Sequence, residues 1–120
     1  MSEYLIISTS VDLIRTASDS IVFISSDGNY SSFVFTSGDS RIVSLQLGQV
    51  EQLISRQLNT TRSNFIRLGK SLIINKKYIS YINISKQQLV LSDEQNSSHS
   101  LTASKEVLKN LKELIEKDLQ

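Results

Sequence analysis

The side chains able to do chemistry are few, and their spacing does not assemble a reaction centre. His99 is the only histidine. It sits in the polar run Asn96-Ser97-Ser98-His99-Ser100, where a single histidine reads as exposed rather than as a base or ligand. Serines are plentiful, but none stands in the glycine-flanked nucleophile elbow that acyl transfer needs. Gly69-Lys70-Ser71 ends like a phosphate loop, yet Asn64 occupies the place of the first glycine in GxxxxGK[ST], and no GxGxxG occurs. The acids form no close multi-carboxylate cluster for a metal. Zero cysteines exclude a disulfide framework, a thiolate zinc site and a cysteine nucleophile. The chain therefore reads as a non-enzyme with no cofactor, no metal and no small-molecule substrate.

Charge carries more information than any catalytic pattern. The net charge is only +1, but the cations are unevenly placed. Up to Glu51, the acids Glu3, Asp12, Asp19, Asp27, Asp39 and Glu51 face only Arg15 and Arg41. Gln52–Ser92 then contains no acid and carries Arg56, Arg62, Arg67, Lys70, Lys76, Lys77 and Lys86. Such a segment projects a local positive field although the molecule is nearly neutral, and phosphate is the partner that field suits. A solvated basic face that binds nothing is the alternative from charge alone.

The elements that must position these cations are mostly short runs rich in Ile, Val, Phe and Tyr, as strands are. Tyr4–Ser8, Val11–Arg15, Ile21–Ser25, Tyr30–Thr36, Arg41–Ser44, Phe65–Leu68, Ser71–Ile74, Tyr78–Ile84, Gln88–Leu91 and His99–Leu101 are predicted strands. Ser26-Asp27-Gly28-Asn29 is a hairpin turn with Gly and Asn able to take positive φ. Asp93–Ser97 is a second turn. Leu47, Val50, Ile54 and Leu58 recur at helical spacing, which predicts a helix over about 47–58, with Ser44 beginning the turn into it and the loop Asn59–Asn64 ending it. Val107, Leu108, Leu111, Leu114, Ile115 and Leu119 predict a C-terminal helix over about 103–118, capped by Thr102. Its lysines 105, 109, 112 and 117 read chiefly as a solvent face. The expected fold is mostly β with two helices and antiparallel strands.

The remaining bounds are consistent with that picture. A length of 120 residues, 39% hydrophobic and 21% charged, is that of one domain with one core. No apolar run approaches the roughly 18 residues of a membrane span. Glu3 and the short run YLII do not make a signal peptide. The chain is expected to be cytoplasmic and to have no membrane partner.

Phe65-Ile66-Arg67-Leu68-Gly69-Lys70-Ser71-Leu72-Ile73-Ile74-Asn75, with Ile79 following, resembles the signature of LytTR DNA-binding domains, F-x-R-x-H-R/K-S-a-a-V/I-N and then I. Upstream, Ile21–Tyr30 with Gly28-Asn29-Tyr30 is similar to that family's strand–GNY–strand hairpin. Ser44-Leu45 and the 47–58 helix fit its S-L segment and helix. Gln88–Leu91 and Leu101–Ser104 fit its late strands and last-helix start. The resemblance covers roughly Ile21 to Leu114 and leaves one LytTR-like domain over residues 1–120.

The resemblance implies a bacterial transcription regulator of two-component type. It implies sequence-specific double-stranded DNA binding by loops in the major groove, with room for a homodimer on DNA. It assigns DNA contacts to Asn29, Tyr30, Arg67, Lys70, Ser71, Lys76, Lys77, Ser104 and Lys105, with the Tyr30 loop, the Arg67–Lys70 segment and the Ser104/Lys105 helix start expected to converge on one face. Arg67 is compatible with contact or support, and Asn75 reads as closing a turn through its amide. Two departures stand out. Gly69 replaces the family's histidine, and Ser104 replaces its groove-reaching arginine. Lys105 would act as a point charge, without the fork that reads guanine bidentately. The competing expectation is a protein-interaction module that keeps the fold with weak or no base readout. About 20 residues precede the hairpin, and Met1 favours a free-standing regulator over a piece of a larger one.

Overall fold

The computed structural model describes residues 3–58, 63–93, 95 and 97–118. The expectations for Asn59–Arg62, Glu94, Asn96 and Leu119 lie outside the described residues. The chain falls into two compact units, Met1–Lys77 and Tyr78–Gln120.

The first unit is built on a five-stranded antiparallel sheet. Its strands are β3 (Ile21–Asp27), β4 (Tyr30–Phe35), β5 (Ser40–Val43), β6 (Phe65–Leu68) and β7 (Leu72–Asn75), in the order β5-β4-β3-β7-β6. Ile24 pairs with Phe33 and with Ile73 on neighbouring strands. Period-two alternation sends these side chains to one face, where Val43 joins them. All four are buried in the core with Leu47, Val50 and Ile54 of α1 (Leu47–Gln57). The helical spacing thus lies against the sheet, and truncating one of these side chains to alanine costs about 2–5 kcal/mol. The unbroken buried run Ile21–Ile24 marks β3 as covered on both faces.

A separate hairpin, β1 (Tyr4–Ser8) and β2 (Leu13–Ala17), adds Leu5 and Ile7 to the same core. Gln57, the last residue of α1, ties it down. Its amide accepts from the Ile6 N–H at 2.8 Å and donates to the Ile6 carbonyl at 2.7 Å. That side chain takes the hydrogen bonds another strand would take along β1.

The second unit holds β8 (Ile79–Asn83), β9 (Gln88–Ser92) and β10 (Ser98–Thr102) in antiparallel order β10-β9-β8, with α2 (Lys105–Lys117). Leu89 and Leu91 are buried, as are Leu108 and Leu111 of α2.

Among the described residues both expected helices and all ten expected strands occur, with three local corrections, the first being that β2 spans Leu13–Ala17 rather than Val11–Arg15. α1 begins at Leu47 as expected, and there the Gln46 N–H donates to Gln49 Oε1 at 2.9 Å. α2 begins after Ser104, not Thr102, because the Ser104 hydroxyl accepts the Val107 N–H at 3.2 Å. In the β3–β4 turn only Gly28 takes positive φ, +64°. Two short 3-10 turns, Ser18–Ser20 and Lys76–Tyr78, were not anticipated.

Candidate nucleic-acid interface

Strand direction decides which sequence-predicted residues meet. β3 ends at Asp27, opposite Tyr30, and the Gly28-Asn29 loop reverses the chain there. β7 runs antiparallel to β3, with Leu72 opposite Ser25. The Gly69-Lys70-Ser71 turn that leads into β7 therefore lies at the same end of the sheet. The Ser26 N–H donates to the Ser71 carbonyl at 2.9 Å, which joins the two turns directly. The exit of β5 reaches that end too, since Val43 pairs with Ser31. There the Ser31 hydroxyl donates to the Leu45 carbonyl at 2.7 Å, and the Gln46 amide donates to Asn29 Oδ1 at 3.2 Å. One sheet end thus presents Asn29, Tyr30, Lys70 and Ser71, all exposed, on two connected loops, with the β5–α1 segment bonded to the first.

Lys70 projects from a turn made possible by Gly69 at φ +64°, a left-handed position that glycine occupies without penalty. Nothing lies within 4 Å of a Cβ built on Gly69, so backbone conformation rather than crowding explains glycine where the family has histidine. Among the described residues Lys70 has no ion-pair partner. Arg67 differs. Its Nη1 meets Glu51 Oε1 at 2.8 Å, and its Nε and Nη2 donate to the carbonyls of Gly69 and Lys70 at 3.0 and 3.4 Å.

Lys76 and Lys77 follow β7 and are carried to the opposite end of the sheet. Three residue steps of roughly 3.4 Å, or about 10 Å of strand, separate Leu72 from Asn75. Lys77 Nζ lies 3.5 Å from Asp19 Oδ2, and the Lys76 N–H donates to the Asn64 carbonyl. Asn75 is 1% exposed. It closes this corner as expected, donating to the Ile21 carbonyl at 2.9 Å and accepting from the Lys77 N–H at 3.1 Å.

In the second unit Ser104 and Lys105 are exposed at the start of α2. Ser104 is already engaged as the cap, so an arginine there would forfeit about 1 kcal/mol of helix stability. His99 departs from expectation. It shares the Leu91 face of the sheet by register, is only partly exposed, and places Nε2 3.9 Å from Asp93 Oδ2. The alternation of His99 and Leu101 between serines and a threonine was the available signal. Asp93 Oδ1 accepts the N–H groups of Gln95 and Ser97, which makes this pair part of a turn.

Sequence reasoning also missed Gln46, which both caps α1 and holds Asn29. The Gln-x-x-Gln spacing at 46–49 was its only trace. Among the described residues no group of three or more His, Asp or Glu is placed to hold a metal, and no helix is long and apolar enough to cross a membrane.

The chain is thus mostly antiparallel β, and one sheet end presents polar loop tips and a lysine with no ion-pair partner among the described residues. The model of the LytTr DNA-binding domain matches residues 12–116, and the chain belongs to that family. DNA binding in transcription regulation is the family's general role, and it is a binding rather than a catalytic family. Among solved structures, the chain is similar to the LytTr DNA-binding domain of a Bacillus cereus protein described as a methyl-accepting/DNA response regulator. The TM-score is 0.62 at 15% identity, covering 96% of this chain and 98% of that one, a likeness of fold alone. No curated protein matches the chain.

Proposed function

We propose that the chain is a bacterial, cytoplasmic transcription-regulator domain of two-component type. It binds double-stranded DNA sequence-specifically by placing loops in the major groove. The observation that carries this reading is the joined pair of turns, Gly28-Asn29-Tyr30 and Gly69-Lys70-Ser71, with Lys70 in no ion pair among the described residues. Asn29 and Tyr30 supply donors, acceptors and an aromatic face for base edges. Lys70 and the Ser71 hydroxyl supply phosphate contacts that fix register. Ser104 and Lys105 are the contacts this reading assigns to the second unit. Lys76 and Lys77 add charge from the far end of the sheet. A homodimer on a two-half-site operator is the assembly this reading favours.

A second reading, an interaction module with weak base readout, is supported by the cations already engaged: Arg67 by Glu51, Lys77 by Asp19. One experiment separates them. Duplexes selected from a random pool are compared with mixed-sequence duplex by fluorescence anisotropy across a salt series. DNA binding by Lys70, Lys105 and one further cation gives a log K against log salt slope of roughly −2 to −3. Selection that enriches no sequence, together with a flat salt response, would favour the interaction module.

A further inference from the structure

We propose that Arg67 is a positioning residue for Lys70 rather than a DNA contact, with Glu51 as its anchor on α1. This rests on the reading that the Lys70 end of the sheet binds DNA. The guanidinium has five N–H donors in a rigid planar fork. Here Nε reaches the Gly69 carbonyl, Nη2 the Lys70 carbonyl and Nη1 the Glu51 carboxylate. Two successive carbonyls of the turn are thus held by one side chain, and that side chain is held by a helix packed into the core.

The turn needs such a hold. Gly69 has no side chain, sits at positive φ and has open space around it. Packing at Gly69 does not restrict the turn, and glycine is the residue with the most backbone freedom to lose. Ordering a loose turn on binding would cost affinity, and a clamp made beforehand removes that cost. The same geometry argues against a phosphate contact by Arg67. Its charge is neutralised at 2.8 Å by Glu51, and its side chain is only 30% exposed. A phosphate would have to draw it away from three existing acceptors. Lysine cannot take this role, because an ammonium is a point charge without the planar fork.

The test uses the full chain, with Arg67→Lys, Arg67→Gln, Lys70→Ala and the Arg67→Gln/Lys70→Ala pair. Circular dichroism establishes that each is folded. Duplex affinity is measured across salt, and backbone order of Gly69, Lys70 and Ser71 is measured by ¹⁵N relaxation without DNA. Positioning makes Arg67→Lys and Arg67→Gln equally weak, by about three- to tenfold, with the wild-type salt slope. It lowers the order parameters of the turn from about 0.85 towards 0.6 in both. It also makes Arg67→Gln add nothing once Lys70 is alanine, because the two act through one contact. If Lys70→Ala weakens binding while Arg67→Lys keeps wild-type affinity and turn order, the proposal is overturned and the reading it rests on survives. A slope made shallower by about 0.9 in Arg67→Gln and restored in Arg67→Lys makes Arg67 a phosphate contact and overturns it likewise. Unchanged affinity in Lys70→Ala overturns both.

Discussion

The two ends of the five-stranded sheet use the same ingredients to opposite effect. At one end a turn presents Lys70 with no ion-pair partner among the described residues, while at the other Lys77 lies against Asp19. The first end places its polar atoms outward on Asn29, Tyr30 and Ser71. The second folds its amide inward, with Asn75 buried between the Ile21 carbonyl and the Lys77 N–H. Charge content therefore does not identify a binding surface. What matters is whether the cation's counter-ion is supplied by the protein or left to be supplied by a ligand.

Substitutions at the two ends should separate stability from DNA binding. The largest effect belongs to the inward end. Asn75→Ala orphans a buried carbonyl and a backbone N–H, and should cost about 2–3 kcal/mol of stability in urea denaturation. The folded fraction should keep its DNA affinity; a specific loss of binding would erase the distinction between the ends. Lys70→Ala should weaken duplex binding about tenfold, or about 1.4 kcal/mol. Its salt slope should become shallower by about 0.9, with the unfolding midpoint unchanged. Next comes Gly69→Ala, which forces an L side chain to positive φ and should cost about 1 kcal/mol of stability by thermal unfolding. Wild-type stability there would mean the turn adopts another conformation. The smallest effect is expected of Lys77→Ala. Its ion pair is exposed and worth a few tenths of a kcal/mol at most, and its salt slope should stay within error of wild type. A slope change equal to that of Lys70→Ala would make both ends binding surfaces.

The strands and helices were legible because periodicity is local. Ile21–Ile24 reads as a strand from its β-branched and aromatic residues, and Leu47, Val50 and Ile54 read as a helix face, without knowledge of any partner. The site was legible only in part. Lys70, Lys76 and Lys77 lie within eight residues of one another in the chain, so they read as one cluster. The intervening strand β7 carries them apart, and that follows only from the β3–β7 pairing between distant segments. The partners that distinguish one cation from another are distant as well: Asp19 for Lys77, Glu51 for Arg67. The α2 start was misplaced by two residues because Thr102 and Ser104 are equally good caps by type. Only the hydrogen bond to Val107 distinguishes them.

The Gln57 amide on Ile6 has a consequence for the order in which the molecule can form. A two-stranded hairpin is marginal in water by itself, and β1 and β2 pair only with each other. The groups that hold β1 from outside lie 51 residues further along the chain. Closing so long a loop is entropically costly until α1 exists to receive it. The hairpin should therefore dock late, with α1 and the five-stranded sheet forming the nucleus. Core truncations at Val50 or Ile73 should slow folding, whereas Gln57→Ala should chiefly speed unfolding.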